Sequence, residues 1–398
     1  MTTGVTRAFK YRFYPDDSQA IELSRTFGCV RKVYNMALAA RMEASPTQER
    51  VTYNTTSAML TRWKKTEELT YLNEVSSVPL QQCLRHLQCA FNGFFAKRTR
   101  YPRFKSKRKS RASAEYTKSG FRFQNGTLTL AKMKDPLNIV WSRPLPVGAS
   151  PTTVTVSQDA AGRWFVSMLC QDTSIAPLPA TRAAVGIDAG LSHLVTLSTG
   201  EKVANPGHER TDRDRLSKAQ RELSRKAKGD GTNRAKARRK LARVHARIAD
   251  RRRDTLHKLT TRLVRENQTL VIEDLAVHNM VKNRSLARAI SDVAWSQLRS
   301  MLEYKAAWYG RELVVVDRWF PSSKLCSTCG TVQRAMPLDV REWICDCGAT
   351  HDRDVNAAKN LLAAGLAVPV CGAGVRPRRE TSRMGQSAKK QKISLREQ

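Results

Sequence analysis

The chain has 398 residues, 41% of them hydrophobic, enough to build cores for two or three domains. Seventy Lys and Arg against 35 Asp and Glu leave a formal charge of +35, an excess that repels itself unless a polyanion neutralises it. That balance points to nucleic acid and away from a membrane partner, since no apolar run approaches the ~20 residues of a bilayer span.

The first expected element is a strand. Phe9, Tyr11 and Phe13 alternate with Ala8, Lys10 and Arg12, and Pro15 ends the run. Asp17 or Ser18 can then cap a helix carrying Leu23, Phe27, Val30, Val33 and Leu38. A second helix is expected around Ser57–Thr66. A third follows from Leu80, Leu84, Leu87, Phe91 and Phe94 at three- and four-residue steps. From Lys97 to Arg111 there are nine basic residues and no acidic one. Lys97, Arg98, Arg100, Arg103, Lys105, Lys107 and Arg108, interleaved with Tyr101 and Phe104, are candidate nucleic-acid contacts; a solvated basic loop is the alternative. Strand patterning resumes over about 119–172, with turns between, and reads as a small antiparallel barrel or sheet that the first strand joins. The helices of 16–111 then form an insertion, and Ile175–Thr181 is a linker.

Beyond the linker, Ala184–Asp188 is a buried-type strand ending on an acid, followed by strands at Leu194–Leu197 and Lys202–Ala204. Arg210–Arg253 reads as a helical hairpin turning at Gly229-Asp230-Gly231. It carries 18 Lys and Arg against 5 Asp and Glu, a net of +13. Arg238, Arg239, Lys240, Arg251 and Arg252 are its candidate nucleic-acid contacts, against the plainer reading of a solvated coiled hairpin. Thr269–Leu275 is another apolar strand ending on acids. A helix over Ser291–Tyr309, a strand at Leu313–Val316 and a last helix over Val355–Ala364 complete the pattern. The tail 372–398 is basic and aperiodic, and is expected to be disordered.

Two constellations carry chemistry. Cys326-x-x-Cys329, fifteen residues, then Cys345-x-Cys347 gives four thiolates in two tight pairs, each followed by glycine (Gly330, Gly348); this spacing suits structural zinc. The second pair is shorter than the usual Cys-x-x-Cys. The other cysteines, Cys29, Cys83, Cys89, Cys170 and Cys371, read as ordinary reduced thiols, so a cytoplasmic protein without disulfides is expected. Asp188, Glu273 and Asp354 each stand at the edge of an apolar element. Three such acids suit a pair of Mg2+ ions working on a phosphodiester, one activating water and the other stabilising the leaving oxygen. The alternative has Asp188 capping a turn and Glu273 pairing with an arginine. Asp352 is the competitor for the third place.

Gly186-Ile187-Asp188-Ala189-Gly190, Ile272-Glu273-Asp274-Leu275, the cysteine pairs and Asp352-Arg353-Asp354-Val355-Asn356-Ala357-Ala358-Lys359-Asn360 together resemble the TnpB family, transposon-encoded relatives of the type V CRISPR effector nucleases. Pro79–Phe95 and Tyr101-Pro102-Arg103-Phe104-Lys105-Ser106 are similar to that family's N-terminal half, so the resemblance covers most of the chain. It implies an α+β multidomain protein. Residues 1–15 and 112–180 would form a wedge-type β-barrel, with 16–111 as an inserted helical recognition domain. Residues 181–371 would form a RuvC-like nuclease domain of RNase H fold, with a zinc-finger-like insertion at 320–350. The implied activity is guide-RNA-directed cleavage of double-stranded DNA beside a short target-adjacent motif, by Asp188, Glu273 and Asp354. The protein would act as one monomer per guide RNA and associate with the nucleoid when bound to DNA. A miniature CRISPR effector, a guide-dependent repressor without cleavage and a transposase proper are the alternatives.

Overall fold

The computed structural model describes residues 4–44, 51–227, 231–337 and 339–367. The turn at Gly229-Asp230, Cys371 and the basic tail lie outside the described residues. In chain order the elements begin with β1 (Val5–Phe13), α1 (Asp17–Glu43), α2 (Tyr53–Trp63) and α3 (Ser77–Phe95). There follow β2 (Ala112–Thr117), β3 (Phe121–Gln124), β4 (Thr127–Leu130), β5 (Ile139–Val140), β6 (Thr153–Gln158) and β7 (Trp164–Asp172). Next come β8 (Ala184–Asp188), β9 (His193–Leu197), β10 (Lys202–Ala204), α4 (His208–Thr211), α5 (Arg213–Ser224) and α6 (Gly231–Glu266). The last are β11 (Thr269–Glu273), α7 (Val277–Met280), α8 (Ala287–Val293), α9 (Trp295–Tyr309), β12 (Glu312–Val316), β13 (Glu342–Ile344), β14 (Thr350–Asp352) and α10 (Arg353–Ala367). The fold is therefore mixed α/β, and it divides into two compact units.

The first unit comprises residues 1–183, 205–268 and 277–312. Its sheet runs β2-β6-β7-β1-β5, every pairing antiparallel, with β3 and β4 as a separate hairpin. The alternation of β1 buries Phe9, Tyr11 and Phe13, and the strand pairs along its whole length with β7, from Val5 opposite Asp172 to Phe13 opposite Trp164. These rings join Leu23, Phe27, Val33 and Leu38 of α1 and Leu80, Leu84 and Leu87 of α3 in one core. The α1 cap is Asp16, one residue earlier than expected. Its carboxylate accepts from the Gln19 N–H (2.8 Å), while the Gln19 side chain accepts from the Asp16 N–H (3.4 Å), a reciprocal pair that neither Asp17 nor Ser18 makes.

The basic hairpin belongs to the same unit. Leu216 and Ala219 of α5 pack on Val244 and Ile248 of α6, a narrow seam under an otherwise charged surface. Arg163 at the start of β7 bridges Asp159 (2.7 Å) and Asp250 of α6 (2.5 Å), tying the hairpin to the sheet. The single helix expected over Ser291–Tyr309 is two. Ala294 takes φ +53°, in the left-handed region, which ends α8 and starts α9. No helix among the described residues is long and apolar enough to cross a membrane.

The second unit comprises 184–204, 269–276 and the chain from 313. Its sheet runs β10-β9-β8-β11-β12, with β8 and β11 parallel and β9 antiparallel to β8. Val185, Ile187, Leu270 and Val271 are fully buried, as strands covered on both faces require. α10 lies directly on this sheet. A Cβ on Gly186 would stand 2.0 Å from the Ala358 carbonyl oxygen, so only glycine lets the helix backbone come that close to β8.

Candidate active site, metal site and nucleic-acid interface

Strand alternation decides where the acids face. Gly186 and Val271 point at α10, and Asp188 and Glu273 follow each of them by two residues, so both carboxylates project from the same face of the sheet. Because β8 and β11 are parallel with Ile187 opposite Ile272, Asp188 and Glu273 are the next pair at the same strand end. The third acid, Asp354, is the second residue of α10. Three remote segments thus bring three carboxylates to one corner.

The electrostatics report that crowding. Burial pushes the Asp188 carboxyl up to about 7, reinforced by the negative charges of Asp354 and Glu273 and only partly offset by Arg353. Glu273 is also raised, by burial and then by Asp274. Arg341 stands within ion-pair range of Asp354, 3.8 Å away.

The competing acid, Asp352, and the neighbouring Asp274 both have partners of their own. Asp274 falls on the opposite face by alternation, and its side chain pairs with Arg318. Asp352 pairs with Lys202 (2.5 Å) and accepts the Val355 N–H (2.9 Å), capping the first turn of α10. Burial would raise its carboxyl, but these hydrogen bonds and the Lys202 charge hold it below the usual range.

The four cysteines converge. Their sulfur atoms all lie within 4.8 Å of one another, and they are the one group of metal-ligating side chains among the described residues that gathers so tightly. A tetrahedral ion with metal–sulfur bonds of about 2.3 Å needs sulfurs roughly 3.8 Å apart. Cys326 and Cys347 are 3.8 Å apart, and Cys329 and Cys345 are 3.6 Å apart, so the quartet could hold a metal ion such as zinc. The short Cys345-x-Cys347 pair reaches the site because Gly348, at φ +84°, turns the chain back and donates to the Cys345 carbonyl (2.8 Å). Gly330, at φ +78°, does the same for the first pair, donating to Cys326 (2.9 Å).

Two further residues, which the sequence patterns do not single out as site residues, fix this module to α10. Asn356 and Asn360 are buried one helical turn apart. The Asn356 amide donates to the Leu325 carbonyl (2.7 Å) and accepts the Ser327 N–H (2.9 Å). The Asn360 amide donates to the Leu325 (2.6 Å) and Ser322 (2.8 Å) carbonyls. Two asparagines four apart on an otherwise apolar helix face were the available signal.

The basic residues divide. Lys97, Arg98, Arg100, Arg103, Lys107 and Arg108 are exposed. Tyr101 is braced edge-on by Phe91 and Phe94, whereas Phe104 is 54% exposed. Lys105 lies over the Tyr34 ring (3.9 Å), and its backbone is fastened at both ends to Asn35. On the hairpin, Arg238 and Arg239 are exposed, while Lys240, Arg251 and Arg252 pair with Glu222, Asp212 and Asp292. The first unit also brings the end of the basic loop and the middle of α6 to one groove of about 730 Å³. Lys10, Lys107, Arg111, Arg163, His245 and Arg253 are among its lining residues, and Asp159 and Asp250 are the acids on its wall. Lys10 sits 4.0 Å over the Phe165 ring. Burial holds its ammonium below the usual lysine range, and Arg111, Arg253 and Arg163 push it further down. Lys10, Arg111, Arg163 and Arg253 come from separate segments, and nothing in the sequence announces that they meet.

Residues 156–284 match the OrfB_IS605 family, described as "Probable transposase". Residues 295–361 match the Cas12f1-like TNB domain, and residues 1–50 match a helix-turn-helix domain of OrfB_IS605 proteins. The chain is 72% identical over 392 residues to a Streptomyces pristinaespiralis protein named "Putative RNA-guided DNA endonuclease", covering 98% of this chain and 97% of that one. It is 34% identical over 386 residues to the Escherichia coli K12 protein of the same description, InsQ, covering 92% and 94%. In structure it resembles the protein of a Cas12f1–sgRNA–target DNA complex, with a TM-score of 0.56 at 12% identity over 90% of this chain and 99% of that one, a likeness of fold. At this identity and coverage, the chain belongs to the TnpB family of OrfB/IS605 proteins.

Proposed function

We propose that the protein is an RNA-guided DNA endonuclease that binds a transposon-derived guide RNA and cuts matching duplex DNA by divalent-metal-dependent phosphodiester hydrolysis. The observation that carries this is the acid corner, where Asp188, Glu273 and Asp354 meet at one end of a parallel strand pair and the charges of the other two add to burial in raising the Asp188 carboxyl. Carboxylates crowded at a cost to their own ionisation are relieved by hard cations, and Mg2+ takes such oxygen ligands. The sheet with its parallel centre and overlying α10 is the RuvC-like element of this reading, and the antiparallel sheet of the first unit is the wedge-type one.

Asp188, Glu273 and Asp354 would hold Mg2+, which supplies activation of water and stabilisation of the leaving oxygen. The chain's own residues do the rest. Arg341 balances charge at Asp354, Asp352 caps the helix that presents Asp354, and Gly186 admits that helix to the sheet. The cysteine quartet would hold structural zinc, with no ligand place left for water. The groove between the basic loop and α6 would take backbone phosphates. The guide and target named for the similar proteins fit the charge of +35.

The test is reconstitution with guide RNA, matched duplex and Mg2+. Wild type should cut at the guided site, and Asp188→Ala should bind guide and target without cutting. Equal cutting by protein stripped of RNA, or by Asp188→Ala, overturns the reading.

A further inference from the structure

The cysteine module and the acid corner meet on a single helix. α10 begins at Arg353, one residue after the last strand of the module, and presents Asp354 in its first turn. Two and six residues further on, Asn356 and Asn360 make four hydrogen bonds of 2.6–2.9 Å to the backbone at Ser322, Leu325 and Ser327. Those positions flank Cys326, the first thiol of the quartet. The remaining helix is held against the sheet at Gly186 and Gly365, where a Cβ would meet Ala358 and Val271 at 2.0 and 2.5 Å. The helix can therefore shift little across the sheet, and its N-terminal turn is held by the module on one side and by the Asp352–Lys202 pair to β10 on the other. A second link runs beside it, from Arg341 within the module to Asp354.

We propose that Asn356 and Asn360 are positioning residues through which metal occupancy of the cysteine quartet sets the place of Asp354, and hence the Mg2+ affinity of the acid corner. Closed on a metal, the Cys326–Cys329 turn is rigid and offers Leu325 O and Ser327 N–H at fixed points. Opened by metal loss, the turn loses those points and the first turn of α10 loses one of its anchors. The coupling is reciprocal: what loosens α10 must also weaken the metal hold of the thiols. The module thereby works as a gate on cutting. This inference rests on the assignment of Asp354 to the acid corner.

The experiment uses the guide-loaded full chain as wild type, zinc-stripped wild type, Asn356→Ala and Asn360→Ala. Zinc release to a chromogenic chelator, guide and target binding, and the Mg2+ concentration for half-maximal cutting are read for each. Each Asn variant should lose zinc about 10–100-fold faster, the usual scale for removing a group that orients metal ligands. The variants and the stripped protein should bind guide as wild type does, need more Mg2+, and recover cutting in part as Mg2+ is raised. Unchanged zinc release in both variants overturns the proposal. So does stripped wild type that cuts with an unchanged Mg2+ requirement, or that loses guide binding along with cutting. The stripped protein carries no substitution, so it decides the question if a variant does not fold. Zinc release is read without cleavage, so a wild type that never cuts refutes the nuclease reading while the clamp is still judged.

Discussion

Asp188→Asn in metal-free protein gives the sharpest prediction. The folded Asp188 carboxyl titrates near 7, against an ordinary value of 3.8, because burial and the neighbouring Asp354 and Glu273 disfavour its charge. A folded-state value raised above the unfolded one means that the folded protein holds the proton more tightly. Its contribution is fully present below the unfolded pKa and is lost as pH rises through the folded one. From about pH 5 to about pH 8 the wild type should lose roughly 2–3 kcal/mol on this account, taking 1.36 kcal/mol per pKa unit. Asparagine has nearly the same shape and no such titration. In urea denaturation with chelator present, Asp188→Asn should therefore gain on wild type by that amount across the interval, whatever the other groups do. Mg2+ should reverse the order, stabilising wild type by binding only the folded acids and leaving the variant unmoved. A stability difference that stays flat across the interval, or Mg2+ stabilisation equal in both proteins, would refute the crowding argument.

Asp354→Ala should abolish guided cutting. Asp352→Ala, which removes a helix cap and the Lys202 pair, should cost about 1–2 kcal/mol of stability with cutting retained in part; equal cleavage loss in the two variants would put Asp352 in the metal site. Gly186→Ala forces a methyl into the Ala358 carbonyl and should destabilise by at least about 3 kcal/mol, measured by thermal unfolding; a change below about 1 kcal/mol on the same scale would mean that α10 moves freely. Lys10→Glu or Arg253→Glu should lower the slope of log affinity for guide RNA against log salt by about 1 for each phosphate no longer neutralised, with zinc content unchanged. An unaltered slope would remove the groove from the RNA path.

Local patterning was enough to find the elements that matter most. The alternation of Phe9, Tyr11 and Phe13, the apolar strands ending at Asp188 and Glu273, and the helix after Asp354 all stand within a residue or two of where the pattern puts them. The cysteine spacing likewise named the four residues whose sulfurs converge, because a knuckle is a local turn and its glycines are visible in the chain. Other features were not legible. β2 has little apolar alternation to announce it, and the break at Ala294 is a single backbone torsion that composition does not encode.

What only the tertiary structure decided is which distant groups share a space. Parallel pairing of β8 with β11, in a register that sets Ile187 beside Ile272, puts Asp188 next to Glu273 and turns Asp274 to the other face. The register depends on long-range strand pairing that no local window contains. The same holds for Lys10, Arg111, Arg163 and Arg253, four cations from separate segments that face one groove, and for Asn356 and Asn360, whose partners lie 29 to 38 residues upstream. The sequence by itself determined residue chemistry and local periodicity, since these depend on neighbours along the chain. Charge crowding at the acids and the anchoring of α10 depend on neighbours across space, which only the closed fold supplies.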